Sequence, residues 1–453
     1  MNTHEIRCAP ARFILLAVVG LALSAAAQTR TLRVVTYNLA ADTGGATAPL
    51  PGLIAPWNDA NNFAAGGVLE GIGEELLNGN AQPPDILALQ ETTSNLLTVA
   101  PIANALNTFY GVPGMYSNST YQATSSGGVS SGGGPNALAY NTRMVQLLAS
   151  LPVNPPSGQS LGVTSGEYRQ VVQYKFAPAG VASNPSNTFY LYVSHYKSGV
   201  GAANETARQG EAQIIRNHAA TNVPATARIL YVGDFNTGIA AEGMYVTLTA
   251  PGTNQAIDPI NPSGDTSLTW DTNTVLNVKT FSPTGIHYRD DYQMMTTNVF
   301  YGTAGGLALV PGSYHVFGNN GTTPYLGSVN SASNTALTGR LVTNGPVFIT
   351  VSQLLADLAS ASDHLPVVAD YTVPVPAPRI TGYSFVGTNL TLTATNGITN
   401  AVYAVLMHTN LAAPFTNWIA LASYTATSGV FTFTATNAVD KTAPQRFYLL
   451  KGK

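Results

Sequence analysis

Short apolar runs recur along this chain, and polar or ionisable residues stand at their ends. Four runs stop at such residues: Leu32–Tyr37 at Asn38, Ile86–Leu89 at Gln90 and Glu91, Phe189–Ser194 at His195, and Ile229–Gly233 at Asp234. Two more runs follow such residues: Tyr292–Phe300 after Asp291, and Leu365–Tyr371 after Asp363 and His364. Their length and their apolar, β-branched and aromatic content are typical of buried strands. The pattern predicts six strands, each with a polar residue at one end.

Two segments between these strands have the spacing of helices. They are Phe63–Leu77 and Glu205–Ala219, and the second places Ala212, Ile215 and Ala219 on one stripe. Strands that alternate with helices and hairpins predict an α+β fold. We expect a four-layered α/β sandwich, in which two mixed β-sheets pack face to face and helices flank them.

A proline-rich stretch at residues 374–379 divides the chain, because alternating prolines stiffen it and exclude a helix. Residues 380–453 then show alternating runs such as Leu390–Thr393 and Val430–Thr434, which predict a small β-sandwich. This module lacks clustered His, Asp or Glu, so we expect it to serve in cell-surface attachment, sorting or spacing. The catalytic domain is expected at residues 28–373.

Residues 1–27 have the pattern of a secretory signal peptide. Arg7 and Arg12 precede the apolar stretch Phe13–Leu23, and Ala25–Ala27 provide small residues for cleavage. A membrane anchor is the alternative, but the apolar stretch is shorter than the ~20 residues of a spanning helix. The single cysteine, Cys8, lies in this segment, so the mature chain has no thiol ligand or disulfide. We expect a secreted monomer without a membrane span.

The composition makes the polar strand ends stand out. Charged residues are 9% of the 453 residues and the net charge is −3, so no global basic field attracts nucleic acid. The end of one strand and the start of an antiparallel neighbour lie at the same edge of a sheet. Because ionisable groups are scarce in this chain, their concentration at one predicted edge indicates a site.

Five segments in order resemble the motifs of the endonuclease/exonuclease/phosphatase superfamily. They are Val35–Asn38, Asp85–Glu91, Gly233–Asn236, Arg289–Tyr292 and Ser362–Pro366. The resemblance spans nearly the whole first domain and implies a metal-dependent phosphodiesterase. Two features depart from the family pattern. Ala40 stands where some members carry an acid, and Tyr301–Val347 is a long connection that is either a surface loop or a substrate contact.

A phosphodiester resists attack because of its charge, so its hydrolysis needs a hard cation and a base for water. Mg²⁺ and Mn²⁺ prefer oxygen ligands. Glu91, seconded by the amide oxygen of Asn38, fits this need, as the resemblance also implies. Asp363 is expected to contact the metal or the phosphate nearby.

The resemblance also implies roles for the other polar residues. His364 is the general base and Asp291 fixes its tautomer. Asp234 and Asn236 orient the attacking water and the phosphoryl oxygen. His195, which the deoxyribonuclease-like and sphingomyelinase-like branches share, assists the leaving group, and Arg208 on the next helix is a candidate for binding substrate.

Three functions stay open on the sequence. The favoured one is an extracellular nuclease that acts on DNA or RNA. The first alternative is a sphingomyelinase or phospholipase C-like phosphodiesterase, which needs exposed aromatic loops, and none of the three tryptophans lies in an obvious aromatic hairpin. The second is a non-catalytic surface-binding protein that retains the fold. The nearly complete set of site residues argues against it.

Overall fold

The computed structural model describes residues 28–41, 53, 67–119, 134–153, 167–303, 305–342, 349–398, 401–427, 429–439 and 445–452. The predicted signal peptide, residues 1–27, lies outside the described residues. Contacts within the chain separate a unit at Thr29–Pro374 from a unit that contains Val375–Lys453. Among the described residues, no helix has the length and apolar character that crossing a membrane requires.

Thirteen strands belong to the first unit. They are β1 (Gln28–Asn38), β2 (Ile86–Gln90), β3 (Tyr116–Asn118), β4 (Ala137–Asn141), β5 (Val145–Val153), β6 (Val171–Pro178), β7 (Phe189–His195), β8 (Arg228–Asp234), β9 (Ala256–Ile257), β10 (Asp291–Thr296), β11 (Ala308–Leu309), β12 (His315–Val316) and β13 (Val367–Val375, whose last residue lies in the second unit). Its α-helices are α1 (Val68–Glu74), α2 (Ala100–Phe109), α3 (Ala202–Asn222), α4 (Gly243–Thr249), α5 (Thr297–Phe300) and α6 (Val351–Ser360).

The strands form two mixed sheets. One has the order β11-β13-β1-β2-β4-β3, with β12 also paired to β13, and the other has the order β5-β6-β7-β8-β10-β9. Two pairs are parallel, β1 with β2 and β7 with β8, and β10 runs antiparallel to β8. In the first sheet, the carboxyl ends of β1 and β2 therefore lie at one edge. In the second sheet, the carboxyl ends of β7 and β8 lie at one edge together with the start of β10.

Three apolar cores show that the first unit has four layers. Side chains such as Val34, Leu191 and Val232 fill the space between the sheets. The alternate residue Val35 faces the opposite side of its sheet, where α1, α2 and α6 pack. Residues of α3 and α4, among them Ile215, cover the outer face of the second sheet. The predicted four-layered sandwich is confirmed.

The second unit is a small antiparallel β-structure. Its strands are β14 (Arg379–Val386), β15 (Asn389–Thr395), β16 (Val402–His408), β17 (Ile419–Thr425), β18 (Phe431–Ala435) and β19 (Phe447–Gly452). They form two three-stranded sheets, β14-β15-β18 and β17-β16-β19, around a shared core that includes Leu392, Val405 and Phe433. The predicted β-sandwich is confirmed.

The long connection Tyr301–Val347 is more than a surface loop. Its strands β11 and β12 both pair with β13, and Phe317 is fully buried in the core beneath α6. The connection therefore extends the first sheet beyond β13.

Candidate active site

The predicted site residues converge at one edge of the two sheets. In the register of β7 and β8, His195 lies opposite Asp234, and antiparallel β10 brings Asp291 opposite the same Asp234. Asn38 ends β1, and Glu91 follows β2. A cleft of about 470 Å³ opens here, and its wall includes Glu91, His195, Arg208, Asp234, Asn236, Asp363 and His364. Strand ends thus position side chains that are far apart in the sequence.

Two site residues adopt a left-handed backbone conformation as they leave their strands. The φ angles are +50° at Glu91 and +51° at Asn236. Such a conformation costs a non-glycine residue about 1–3 kcal/mol and persists where surrounding contacts impose it. At Asn236 the backbone N–H donates to Asp234 Oδ1 at 2.9 Å, and Nδ2 donates to the Tyr196 carbonyl oxygen at 3.0 Å. These bonds hold Asn236 at the cleft wall.

Glu91, Asp234 and His195 could hold a metal ion. Their ligand atoms all lie within 4.8 Å of one another. His195 Nε2 is 3.5 Å from Glu91 Oε1 and 3.5 Å from Asp234 Oδ2. Two carboxylates suit Mg²⁺ or Mn²⁺, and the added imidazole nitrogen favours a transition ion such as Mn²⁺. The donor set therefore fits a divalent cation, with Asp234 and His195 in places where the sequence predicted other roles.

Asn38 is buried between the two carboxylates. Its Nδ2 donates to Glu91 Oε1 at 3.0 Å and to Asp234 Oδ2 at 3.1 Å, while its Oδ1 accepts from the backbone N–H of Ala40 at 3.1 Å. The predicted metal-ligand role requires the amide oxygen to face the carboxylates. In this structure the amide nitrogen faces them instead, so Asn38 spaces the two acids and its role as a ligand stays a prediction.

His364 forms a buried pair with Asp291. Its Nδ1 lies 2.7 Å from Asp291 Oδ2, and its Nε2 lies 3.7 Å from Asp234 Oδ2. The Ser362 hydroxyl accepts from the His364 backbone N–H at 3.0 Å and donates to the Asn38 carbonyl oxygen at 2.6 Å. Burial alone lowers the pKa of His364, but Asp291 and Asp234 outweigh it and raise that pKa well above its usual value. Nε2 is thus a proton-carrying atom that faces the cluster of Glu91 and its neighbours.

His195 has the opposite electrostatic environment. Burial, followed by the nearby cations of Arg169, His364 and Lys197, lowers its pKa well below the usual value. Its Nε2 contacts the Arg169 guanidinium, which is a donor only. His195 therefore accepts at Nε2 from Arg169, so in this arrangement that lone pair is not available to a metal ion, and Glu91 and Asp234 supply the metal-binding oxygens. Burial also raises the pKa of Asp234 to about 6, against the effect of the adjacent His364.

Two other predicted residues, Asp363 and Arg208, line the cleft, and they differ in exposure. Asp363 has a side chain that is 54% exposed, and its Oδ1 lies 3.9 Å from His364 Nε2. Arg208 is buried, contacts Glu242 Oε1, and donates to the carbonyl oxygens of Lys197 and Gly199 at 2.8 and 2.9 Å. Arg208 therefore stabilises the loop after His195, and its role in binding substrate stays a prediction.

The charged residues of the site that were missed in the sequence include Arg169 and Asp290. Arg169 precedes β6, which is antiparallel to β7, so it lies at the edge where His195 ends β7. Arg169 would have been predicted as a site residue if the start of β6 had been recognised, because the start of an antiparallel strand lies at the same edge as the end of its neighbour. Asp290 lines the cleft, and burial together with Asp234 raises its pKa well above the usual value. Its only signal was its place beside Asp291.

Solved structures from several organisms are similar to this chain. The human Nocturnin catalytic domain with bound sulfate matches with 15% identity and a TM-score of 0.43, covering 77% of this chain and 97% of that chain. An endonuclease/exonuclease/phosphatase from Bacteroides vulgatus matches with 17% identity and a TM-score of 0.40, covering 76% and 99%. One from Beutenbergia cavernae has 14% identity and a TM-score of 0.41, covering 91% and 94%. Curated protein sequences gave no match.

The sequence itself matches a family model. The model of the Endonuclease/Exonuclease/phosphatase family matches residues 35–364, a span that begins in β1 and ends at His364. All five sequence motifs that converge on the cleft fall within or overlap this span. Members of this family are hydrolases that act on phosphoester bonds, and they generally use a divalent metal. The chain therefore belongs to the endonuclease/exonuclease/phosphatase family.

Proposed function

We propose that the protein is a secreted, divalent-metal-dependent phosphodiesterase that hydrolyses its substrate by direct attack of water. The observation that carries this proposal is the buried His364–Asp291 pair, which faces the cluster of Glu91, Asp234 and His195 across a single cleft. A base, its orienting carboxylate and a set of metal ligands are the parts that phosphodiester hydrolysis requires.

Glu91 and Asp234 would hold a divalent cation, which would supply a Lewis acid for a phosphoryl oxygen and would compensate the charge of Asp234. With that charge compensated, the stabilisation of protonated His364 would come mainly from Asp291, so His364 Nε2 would release its proton more readily. His364 Nε2 then takes a proton from the attacking water, and Asp291 stabilises the imidazolium that forms. Asn236, fixed by its bonds to Asp234 and Tyr196, is placed to orient the water or the phosphate.

Arg169 and His195 would serve the leaving group. The guanidinium of Arg169 and the imidazole of His195 are in contact and both are buried. A fixed cation at this place stabilises negative charge on the phosphate in the transition state. His195 is neutral beside it and accepts from Arg169, so it holds the guanidinium in place while the departing oxygen takes its proton from water. The predicted transfer of a proton from His195 itself stays a prediction.

The substrate predicted from the sequence is DNA or RNA, and the alternative is a sphingomyelin-type phosphodiester. One assay tests the proposal. The purified mature protein is given plasmid DNA, RNA, sphingomyelin and bis-p-nitrophenyl phosphate, with EDTA and then with Mg²⁺ or Mn²⁺. We expect hydrolysis of at least one diester that EDTA abolishes and that Mn²⁺ or Mg²⁺ restores. Full activity in excess EDTA contradicts the metal mechanism, and inactivity on every diester contradicts the function.

Secretion is part of the proposal and has its own test. The signal pattern of residues 1–27 places the start of the mature chain near Gln28. The chain is expressed with its N-terminus intact, and the mass of the protein in the medium is measured. Retention of an uncleaved chain in the cells would contradict export.

A further inference from the structure

Acidic groups dominate the wall of the cleft. Beyond Glu91 and Asp234, five further carboxylates line it: those of Glu205, Glu242, Asp271, Asp290 and Asp363. Among the described residues of the wall, Arg208 supplies the one guanidinium, and it is neutralised by its contact with Glu242. A divalent cation would balance Glu91 and Asp234. Burial raises the pKa of Asp290, so the acidic groups that oppose a polyanion are those of Glu205, Asp271 and Asp363.

Segments that the structure does not describe add no basic side chain to the mouth of the cleft. Every Lys and Arg between residues 28 and 374 falls in the described ranges. The basic residues nearest the reacting atoms are Arg169 and Lys197, both buried beside His195. Lys279 donates to the carbonyl oxygens of Trp270 and His287, and Arg289 pairs with a buried carboxylate. Positive charge is therefore available for one phosphate at the floor, and little is available for phosphates further out.

This distribution opposes a long polyanion. Duplex DNA carries one negative charge per roughly 1.7 Å of helix axis, and proteins bind it by placing Lys and Arg along the flanking phosphates. Here the flanking phosphates would meet Glu205, Asp271 and Asp363 instead. Repulsion between these carboxylates and the phosphates slows the association of the nucleic acid with the protein and weakens its binding.

An aromatic surface extends outwards from the base. The Phe281 ring lies 4.9 Å from the His364 ring and stacks on Tyr288 with 6.2 Å between ring centroids and 20° between planes. Tyr288 is 38% exposed, and both rings line the cleft. Aromatic faces stack on the flat face of a ring, and ionised carboxylates accept hydrogen bonds from hydroxyl groups. The combination suits an uncharged ring that bears hydroxyl groups.

We propose that the cleft takes a short phosphodiester with a single phosphate, whose uncharged hydroxyl-bearing ring group lies against Phe281 and Tyr288 while its hydroxyls face the wall carboxylates. This proposal rests on the proposed phosphodiesterase function and narrows its substrate class. It also departs from the prediction of a nuclease that acts on long DNA or RNA. A hexose and a nucleoside both carry this chemistry.

The test compares substrates that share one leaving group. The p-nitrophenyl phosphodiesters of methanol, of glucose through its 6-hydroxyl and of thymidine through its 5′-hydroxyl are hydrolysed with Mn²⁺, alongside a single-stranded oligonucleotide. We expect one ring diester to exceed the methyl diester in kcat/KM by about tenfold, which is the scale of one ring stacked on an aromatic side chain. The better of glucose and thymidine identifies the source of the ring. Oligonucleotide cleavage should be slower and should rise with added NaCl, because salt screens the repulsion.

Variants separate the two parts of the argument. Tyr288→Ala should bring the ratio of ring diester to methyl diester close to one, whereas Tyr288→Phe should preserve it. Tyr383→Ala is the matched control, because Tyr383 is an exposed tyrosine of the second unit. Glu205→Lys should raise oligonucleotide cleavage several-fold, because it replaces a repulsive charge at the rim.

The proposal is overturned if the oligonucleotide has the highest kcat/KM and loses activity as NaCl rises, or if Tyr288→Ala leaves the ratio unchanged. Inactivity on all diesters refutes the phosphodiesterase function instead, so the two failures can be told apart.

Discussion

His364 is held in a fixed position, since its Nδ1 is held by Asp291 and its backbone by Ser362. If it takes the proton from water, His364→Ala should lower kcat by at least about a hundredfold, within the range of 10²–10⁴ for acid–base groups. The measurement is turnover of a p-nitrophenyl diester with saturating Mn²⁺. A melting temperature near that of the wild type shows that the loss is chemical, and near-normal turnover would overturn the mechanism.

Asp291 sets the pH at which His364 becomes a base. The carboxylate raises the pKa of His364, so the base is protonated and inactive at low pH and becomes active as the pH rises through that pKa. Asp291→Asn removes the negative charge, and the pKa of His364 falls. We expect the acidic limb of kcat/KM to move to lower pH while the plateau declines. The measurement is kcat/KM from about pH 5 to about pH 9. An acidic limb that stays at the same pH in Asp291→Asn would contradict the proposed effect of Asp291 on His364.

Glu91 is the residue that we expect to bind the metal ion most directly. Loss of a group that merely supports a metal ligand costs about 10–100-fold in metal affinity. Glu91→Gln, which removes a ligand charge, should raise the Mn²⁺ concentration for half-maximal activity by at least that range. Calorimetric titration of Mn²⁺ measures the affinity directly. His364→Ala serves as the control, because loss of the base should leave Mn²⁺ affinity nearly intact, and equal losses in both variants would contradict the assignment.

At the scale of single residues, the sequence predicted which side chains lie together at the cleft, but it did not predict how each side chain is oriented. Polar residues at strand ends were visible in Asn38, Glu91 and His195 because the apolar runs stop there. The direction of the Asn38 amide depends on the backbone N–H of Ala40, which is a tertiary detail. Arg208 was predicted to bind substrate, but it pairs with Glu242, the residue before α4, which no motif marks.

At the scale of elements, a buried ion pair joins β1 to β13 at the edge away from the site. Arg33 Nε lies 2.9 Å from Asp370 Oδ1, and its Nη1 donates to the carbonyl oxygens of Ile72 and Glu75 at 2.8 and 3.0 Å, next to the end of α1. Removing one partner of a buried pair leaves an uncompensated charge and costs about 3–5 kcal/mol.

Asp370→Asn should therefore lower the free energy of unfolding by about 3–5 kcal/mol. Urea denaturation followed by circular dichroism measures it. The exposed Asp265 gives a matched control, since Asp265→Asn should change the free energy by less than about 0.5 kcal/mol. Similar small changes in both variants would mean that the pair is not essential to the junction.

The order of elements was more visible in the sequence than their ends. Long apolar runs gave the central strands, and helical spacing gave α3, which extends beyond the predicted Glu205–Ala219 to Ala202–Asn222. Strands β11 and β12 have two residues each, too few for a repeating pattern. Their pairing with β13 follows from the tertiary fold, so the long connection could not be assigned from local pattern.

At the scale of the whole molecule, every predicted site residue lies in Thr29–Pro374, and the second unit has its own core. We expect a chain that ends at Pro374 to keep most of the specific activity of the full mature chain. Turnover of the two proteins on the same diester tests this, with circular dichroism to show that the shortened chain is folded. Loss of most activity in a folded protein would show that the second unit contributes to catalysis.

The fold class and the family followed from the sequence because five short motifs stand in a fixed order. The substrate did not, because it depends on which side chains surround the cleft, and these come from segments such as Phe281–Tyr288 that carry no motif.

The pairing of β13 with β1 has a consequence for the synthesis of the chain. The Ser362 hydroxyl that steadies His364 donates to the Asn38 carbonyl oxygen, 324 residues earlier in the chain. A ribosome makes Glu91, His195 and Asp234 first and His364 last, so a nascent chain lacks the proposed base until residue 364 has been added. Contacts between such distant residues also form slowly. The proposed active site is therefore complete only after nearly all of the first unit has been synthesised and Ser362 has met Asn38.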